Sequence, residues 1–218
     1  PWFRLSDPYV TYELTIKDLL VHRSGLGLGA GDLLWWPPST YSRDEIVRRL
    51  QYIPLQSSFR NTYAYDNVLY LVAGTIIETK SGLSWGEFIQ QNIFNPIGMT
   101  SSTVHGIHYN QGENIAAPHA LIDGKIVTVE PFLEKNVGPA GSIMSNAIDM
   151  AKWMITQLDS GRTNSGKRLF SRSTTRELWS IVTPISIPSY PALLKSIQPQ
   201  FSGYALGFRI HDYRGYKI

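Results

Sequence analysis

Hydrophobic residues recur with a helical period in several short stretches, each beginning at a residue that can cap a helix. Thr15 and Asp18 have the spacing of a capping box, with Asp in place of the usual Glu, and residues 14–25 end at a glycine suited to a helix stop. Residues 42–50 begin in the same way, with a serine and a glutamate three residues apart. These patterns predict two short amphipathic helices.

The most apolar segment, residues 68–77, is hydrophobic nearly all round, which predicts a central buried helix. Asp66 or Asn67 is suited to its N-cap and Gly82 to its end. A further helix is predicted at 84–94, ending before Pro96 because proline cannot continue it.

Two later helices are predicted at residues 146–158 and 171–182. In the first, the positions expected to be buried are Ile148, Ala151, Trp153, Met154 and Leu158.

Strands are predicted in two places and are shorter than the helices. Residues 125–130 alternate with β-branched side chains after an Asp-Gly turn, and residues 204–211 read as a second strand. The proline-bearing stretch 184–199 is predicted to be a loop.

Composition narrows the class of protein without identifying it. The chain has 43% hydrophobic and 17% charged residues, a net charge of +3 and no cysteine. Disulfides and thiol catalysis are therefore excluded, and the absence of a basic stripe argues against a nucleic-acid partner. No apolar stretch is long enough to span a bilayer. Because the chain starts at Pro1 and ends at Ile218 in a strand-like stretch, we expect an internal segment of a longer protein.

Tyr65-Asp66-Asn67 is the sequence element with the clearest chemical use. A phenol and an amide two residues apart at a helix start can face one cleft, as in enzymes that activate a serine without histidine. Spacing alone also permits a tyrosine packed on the helix start with asparagine as its cap.

Five segments give this triplet a context. They are, in order, residues 14–26 (LTIKDLLVHRSGL), 59–67 (FRNTYAYDN), 93–99 (IFNPIGM), 139–151 (PAGSIMSNAIDMA) and 204–208 (YALGF). Together they resemble the family of class C β-lactamases, the related DD-peptidases and the β-lactamase-like esterases, over most of the chain.

The resemblance implies an α+β, β-lactamase/transpeptidase-like fold. Residues 1–218 would form a single partial domain, mostly the helical lobe plus part of the antiparallel sheet. The parent protein would be a serine hydrolase that acts through an acyl-enzyme on an amide, a β-lactam or an ester. No cofactor is implied, and the expected partner is a small-molecule or peptide substrate.

The resemblance also assigns roles to individual residues. Tyr65 would take the proton of the serine and deliver it to the leaving group, although a free tyrosine, with a pKa of about 10, needs cationic help to act as a base. Asn67 would bind the motif lysine and the substrate, and Asp66 would cap the helix. Trp35 and Trp36 would border the cleft, with packing alone as an equally good interpretation.

Two family motifs are missing from the chain. No lysine has a serine three residues before it, so Ser-x-x-Lys is absent, and the chain stops before the place of the His/Lys-x-Gly motif. Lys80-Ser81-Gly82 matches the latter in letters, but its place at a helix end predicts a C-cap. We therefore expect the segment alone to be inactive.

Other interpretations stay open beside the hydrolase. The main alternative is a non-catalytic binding or sensor domain that keeps the cleft without the nucleophile. A metal site at His105, His108, His119 and Asp123 is disfavoured because no helical carboxylate accompanies the histidines. His22 is expected to make a structural hydrogen bond. The resemblance favours an extracytoplasmic location, periplasmic or secreted, with the cytoplasm left open.

Overall fold

The regular structure of the first hundred residues is helical, and strands lie in one hairpin and near the C-terminal end. The computed structural model describes residues 2–104, 114–131 and 135–218. The helices are α1 Pro8–Glu13, α2 Ile16–Leu20, α3 Arg43–Arg49, α4 Val68–Ser81, α5 Trp85–Ile89, α6 Asn95–Ile97, α7 Gly138–Gly141, α8 Ala147–Leu158 and α9 Arg172–Leu178. The strands are β1 His119–Ile122, β2 Lys125–Thr128, β3 Thr183–Pro184, β4 Ser202–Tyr204, β5 Arg209–Tyr213 and β6 Tyr216–Lys217.

Helix α4 is the centre of the main hydrophobic core, as its all-round apolar sequence predicted. It packs against α2, α3, α5 and α7, and Val68, Leu69 and Leu71 are fully buried. Such burial of each large aliphatic side chain stabilises the fold by about 1.5–3 kcal/mol. A second, smaller cluster forms around Phe94 and Ile97.

Both ends of α4 follow the predicted capping signals. Asp66 Oδ1 accepts a hydrogen bond from the backbone N–H of Leu69 at 3.0 Å, whereas the Asn67 side chain makes no cap bond. Gly82 ends the helix with a φ of +73°, a left-handed conformation that glycine adopts without steric cost.

The helix predicted within residues 14–25 begins as expected but ends early. The reciprocal capping box between Thr15 and Asp18 is present. Helix α2 then stops at Leu20, because His22 takes a φ of +52° and turns the chain away. His22 therefore follows the helix instead of lying within it.

The helical segment after Gly82 passes the proline that was predicted to stop it. A π-helical turn, Gln90–Phe94, joins α5 to α6, and Pro96 lies inside α6. The wider turn shifts the carbonyl register ahead of the proline, which has no N–H to donate. The segment ends at Gly98 with a φ of +80°.

The strands form two antiparallel sheets. The predicted strand after the Asp-Gly turn is present as β2, and it pairs with β1 in a hairpin whose turn residues Asp123 and Gly124 both have positive φ. The second sheet has the order β3-β4-β5-β6. The single strand predicted at 204–211 is wrong: residues 205–208 form a tight turn between β4 and β5, with Gly207 at a φ of +85°.

Helix α8 has nearly the predicted limits but not the predicted burial. Asn146 caps α8 through the N–H of Asp149. The apolar side chains of Ile148 and Leu158 are 71% and 82% exposed, and the buried positions include Asp149 and Thr156. Helix α9 ends before the predicted limit.

The loop predicted at 184–199 contains a 3-10 helix, Ala192–Ile197. Within the described residues, no helix has both the length and the apolar character required to cross a bilayer.

Candidate active site

The loop that carries Tyr65 is anchored by a buried carboxylate. Asp18, fully buried, accepts hydrogen bonds from Arg60 at 2.7 Å and Arg23 at 2.9 Å. Burial alone would raise the pKa of Asp18, but the bonds from Arg60, Thr15 and Arg23 outweigh it and hold that pKa well below its usual range. The ionised carboxylate therefore ties the end of α2 to the segment that leads into the triplet.

Tyr65 and Asn67 lie side by side at the start of α4. The Tyr65 hydroxyl donates to Asn67 Oδ1 at 3.1 Å. Both residues line one cavity of about 200 Å³, together with His22, Tyr204 and the α7 residue Ala140. The expectation that the phenol and amide face one cleft is met in position, while their catalytic roles stay predictions.

Asp32 completes a hydrogen-bonded chain that sequence reasoning missed. Asn67 Nδ2 donates to both carboxylate oxygens of Asp32, at 3.1 and 3.3 Å. Burial raises the pKa of Asp32, and the bonds from Asn67 and Trp35 oppose that shift. The sequence feature that could have indicated Asp32 was its position as an acidic residue within the apolar, glycine-rich stretch 25–36.

The two tryptophans take different positions. Trp35 is partly buried against the main core and interacts with Asp32, so it reaches the site through that carboxylate. Trp36 is 57% exposed. Neither lines the cavity of Tyr65 and Asn67, and their contact with substrate remains a prediction.

The surroundings of Tyr65 favour the protonated phenol. Burial raises the pKa of Tyr65, and nearby Tyr63, Asp32 and Asp66 raise it further, whereas Arg209 acts in the opposite direction. The hydroxyl is therefore a hydrogen-bond donor at neutral pH. To act as a base, Tyr65 would need a further cation beside it.

His22 makes the predicted structural hydrogen bond at the back of the cavity. Its Nδ1 accepts from the backbone N–H of Asp66 at 3.2 Å. Burial, reinforced by Arg209, lowers the pKa of His22 to about 4, so the ring is neutral at pH 7. The proton then sits on Nε2, which has no hydrogen-bond partner among the described residues.

Tyrosine rings surround this histidine. The ring centroids of Tyr65, Tyr204 and Tyr70 lie 4.4, 4.6 and 5.4 Å from that of His22. The cluster brings the triplet, α4 and β4 together, an arrangement that sequence reasoning did not anticipate because its members are up to 182 residues apart.

Asp66, the acid of the triplet, is buried. Burial raises its pKa to about 7, against the opposing hydrogen bonds from Leu69 and Ser24, and the negative charge of Asp32 adds to the increase. It is 1% exposed. Its contacts agree with a helix-capping role.

The remaining candidates fall outside this site. Lys80 and Ser81 belong to the last turn of α4, and Gly82 is its C-cap. This confirms that Lys80-Ser81-Gly82 is a helix end, as its place in the sequence predicted. His105 and His108 lie outside the described residues. His119 Nδ1 contacts the carbonyl of Ala117, and within the described ranges no group of three His, Asp or Glu side chains is placed to hold a metal ion.

Comparison with known proteins places these features in a family. The model of the β-lactamase family matches residues 4–216. An unguisins hydrolase of Aspergillus campestris is 31% identical over 99% of this chain and 39% of its own length. The chain thus spans about two fifths of that curated relative.

Solved structures agree on the fold. The octameric penicillin-binding protein homologue from Pyrococcus abyssi has a TM-score of 0.73 at 20% identity, over 99% of this chain and 47% of that one. The D-amino acid amidase from Ochrobactrum anthropi has a TM-score of 0.70 at 21% identity, over 97% and 57%. With the family match over nearly its whole length, the chain belongs to the β-lactamase family.

Proposed function

We propose that the full-length protein containing this chain is a serine hydrolase that works by acyl transfer, with Tyr65 and Asn67 in its active site. The observation that carries the proposal is the hydrogen-bonded chain from Tyr65 through Asn67 to Asp32 at the wall of one cavity. Such a chain fixes the orientation of both ends of the amide, which a structural cap would not require.

The chemistry assigned to these groups is a two-step transfer. A serine Oγ attacks the substrate carbonyl, and its proton passes by way of Tyr65 and the motif lysine to the departing group. Water then cleaves the acyl-enzyme, regenerating the serine and releasing the acid. The raised pKa of Tyr65 suits proton delivery to a leaving group. Asn67 Oδ1 keeps a lone pair for a lysine ammonium or a substrate N–H.

The serine and lysine of this mechanism are not encoded in residues 1–218 as Ser-x-x-Lys. We therefore propose that they come from another part of the protein, as does the third motif, and that residues 1–218 alone are inactive.

Among amides, β-lactams and esters, we propose an amide as the substrate. A structural neighbour that is a D-amino acid amidase supports this choice. The family also favours an extracytoplasmic location, which fractionation of the producing cells would test.

The test is acylation of the full-length protein by a fluorophosphonate and by a fluorescent penicillin. We expect covalent labelling of one serine, located by mass spectrometry, and a rate lowered by about 10²- to 10⁴-fold in Tyr65→Phe because the proton relay is lost. Tyr52→Phe is the matched control, since it removes the same hydroxyl from a side chain that is 74% exposed and does not line the cavity.

Two results would contradict the proposal. If the protein binds the penicillin reversibly but no serine is labelled, the chain belongs to a non-catalytic binding domain. Equal rates in Tyr65→Phe and the parent would remove Tyr65 from the mechanism.

A further inference from the structure

A second, larger cavity shares Tyr65 with the cavity of the candidate active site. Its volume is about 630 Å³, and Tyr65 lines both cavities. Its polar wall is formed by Gln56, Ser57, Thr62, Tyr63 and Arg209. A cavity of this size can hold a substituent of several heavy atoms.

The charge of this cavity is positive. Arg209 carries the one ionised side chain among the described residues that line it, and no described carboxylate lies within 4.0 Å of its guanidinium nitrogens. The groups that interact with its guanidinium are the neutral phenols of Tyr63, Tyr204 and Tyr65. By contrast, Arg23 and Arg60 nearby are both paired with Asp18.

Tyr63 holds the guanidinium at the cavity. The guanidinium carbon lies 5.8 Å from the centroid of the Tyr63 ring, within reach of a cation–π contact. The Thr62 hydroxyl donates a hydrogen bond to the Ser57 hydroxyl at 3.2 Å, which leaves the Ser57 O–H as a further donor on the wall. The arrangement offers an anion one charged and several neutral donors, and no negative charge among the described lining residues repels it.

The two cavities share Tyr65 but differ in the other residues that line them. Tyr65 borders both, whereas Asn67 borders only the smaller one. In the proposed mechanism Tyr65 delivers a proton to the leaving group, and Asn67 binds a lysine ammonium or a substrate N–H. A cavity that Tyr65 lines and Asn67 does not line would therefore receive the leaving group.

We propose that the larger cavity is a leaving-group subsite and that Arg209 determines specificity there by binding a carboxylate of the substrate. The inference rests on the acyl-transfer function proposed above. A guanidinium recognises a carboxylate through two parallel N–H donors, which adds geometric selectivity to charge attraction. The carboxylate is supplied either by the C-terminal end of a peptide or by an acidic side chain just after the cleaved bond.

The test compares substrates that differ only in this group. The full-length protein is given a set of acylated dipeptides with a free C-terminal carboxylate, the same dipeptides as C-terminal amides, and amides with aspartate after the cleaved bond. For Arg209→Gln we expect kcat/KM on the free acids to fall by about 10-fold or more, mainly through KM, with the neutral amides unchanged. The aspartyl amides show which source of carboxylate the subsite uses.

Arg214→Gln is the matched control. Arg214 is also exposed and also lies over a tyrosine ring, at 5.4 Å from the Tyr213 centroid, but it does not line the cavity. The Arg214→Gln substitution removes the same charge and should leave the preference for the free acid intact. Arg209→Lys keeps a charge without the planar fork and should restore part of the preference.

Failure of this inference and failure of the proposed function give different results. Equal losses on acids and amides, or no loss on the acids, would overturn the subsite while leaving the hydrolase in place. If the parent cleaves none of these substrates, calorimetric binding of the free-acid dipeptide decides: weaker binding in Arg209→Gln supports the subsite, and unchanged or absent binding overturns it.

Discussion

At the scale of single residues, Asp66 and His22 are buried ionisable groups whose pKa values move in opposite senses. The native pKa of Asp66 is about 7, above the unfolded value, so its stabilising contribution is complete below about pH 4 and is lost as the pH rises toward 7. The native pKa of His22 is about 4, so its contribution is lost as the pH falls from about 6.5 toward 4. The two effects oppose each other in this window.

Replacing Asp66 with asparagine should separate the pH-dependent contribution of Asp66 from that of His22. Asn keeps an oxygen for the N–H of Leu69, and the Ser24 hydroxyl can accept from the new amide. We expect the free energy of unfolding to rise by about 1–3 kcal/mol at pH 7 and above, where the buried charge is costly. Between pH 4 and 6.5 the variant should gain stability with pH, following His22 alone. Urea unfolding across pH 4–8 measures both.

Asp123→Asn is the control for this series. Asp123 is exposed in the hairpin turn at a φ of +50°, which asparagine also tolerates, so its pH dependence should match that of the parent. An Asp66→Asn protein with unchanged stability at pH 8 would show that Asp66 carries no burial penalty.

The sequence identified Tyr65 and Asn67 as candidate site residues, but it did not identify all the residues that contact them. Those two residues are two positions apart at a helix start, so both their spacing and the family resemblance indicate them. Asp32 is 35 residues away from Asn67 in sequence, and Arg209 comes from a strand. No local pattern links such residues, because only the packing of α4 against its neighbours brings them together.

At the scale of elements, the starts of the helices and the burial of α4 were predictable, but the burial of α8 was not. The capping residues Thr15 and Asn146 act on N–H groups within three positions, so sequence contains the whole interaction. The apolar period of α8 was equally clear, yet Leu158 is exposed, because a period identifies one face without supplying a partner. The split of 204–211 into two strands depended on the positive φ of Gly207, which alternation does not reveal.

Gly74 of α4 lies close to α7. A Cβ at this position would overlap the ring of Pro139, which lines the cavity of the candidate active site together with Ala140. Gly74→Ala should therefore lower the free energy of unfolding by about 1–3 kcal/mol, although alanine favours a helix interior by about 1 kcal/mol. Displacement of α7 should also slow acylation of the full-length protein. Thermal unfolding and labelling rates test the two parts.

Gly141→Ala provides the matched control on the other helix. Gly141 lies in α7, and a Cβ added there would have no atom from beyond its own helix backbone within 4 Å, so the same extra methyl group meets no neighbour. Its stability should equal or exceed that of the parent. A Gly74→Ala protein more stable than Gly141→Ala would rule out close packing as the reason for glycine at position 74.

At the scale of the whole molecule, the chain exposes more surface than its mass requires. Its accessible area is 13819 Å² for 24.6 kDa, whereas a compact monomer of that mass exposes about 10,100 Å². Part of the excess is apolar: Ile148, Ile155 and Leu158 of α8 are 71%, 53% and 82% exposed. Contiguous apolar surface of this kind promotes association in water.

We therefore expect the 218-residue chain in isolation to self-associate and to enhance the fluorescence of an anilinonaphthalene sulfonate dye. The double substitution Ile155→Lys and Leu158→Lys should reduce both effects and change stability by less than about 0.5 kcal/mol, because the side chains are exposed. The control, Tyr9→Lys with Tyr12→Lys, adds the same charge to α1, where the tyrosines are 66% and 86% exposed. Sedimentation velocity over a range of concentrations measures self-association of the parent, the α8 variant and the α1 control. Equal relief by both pairs would indicate a general charge effect, and a monomeric parent without dye binding would refute association through α8.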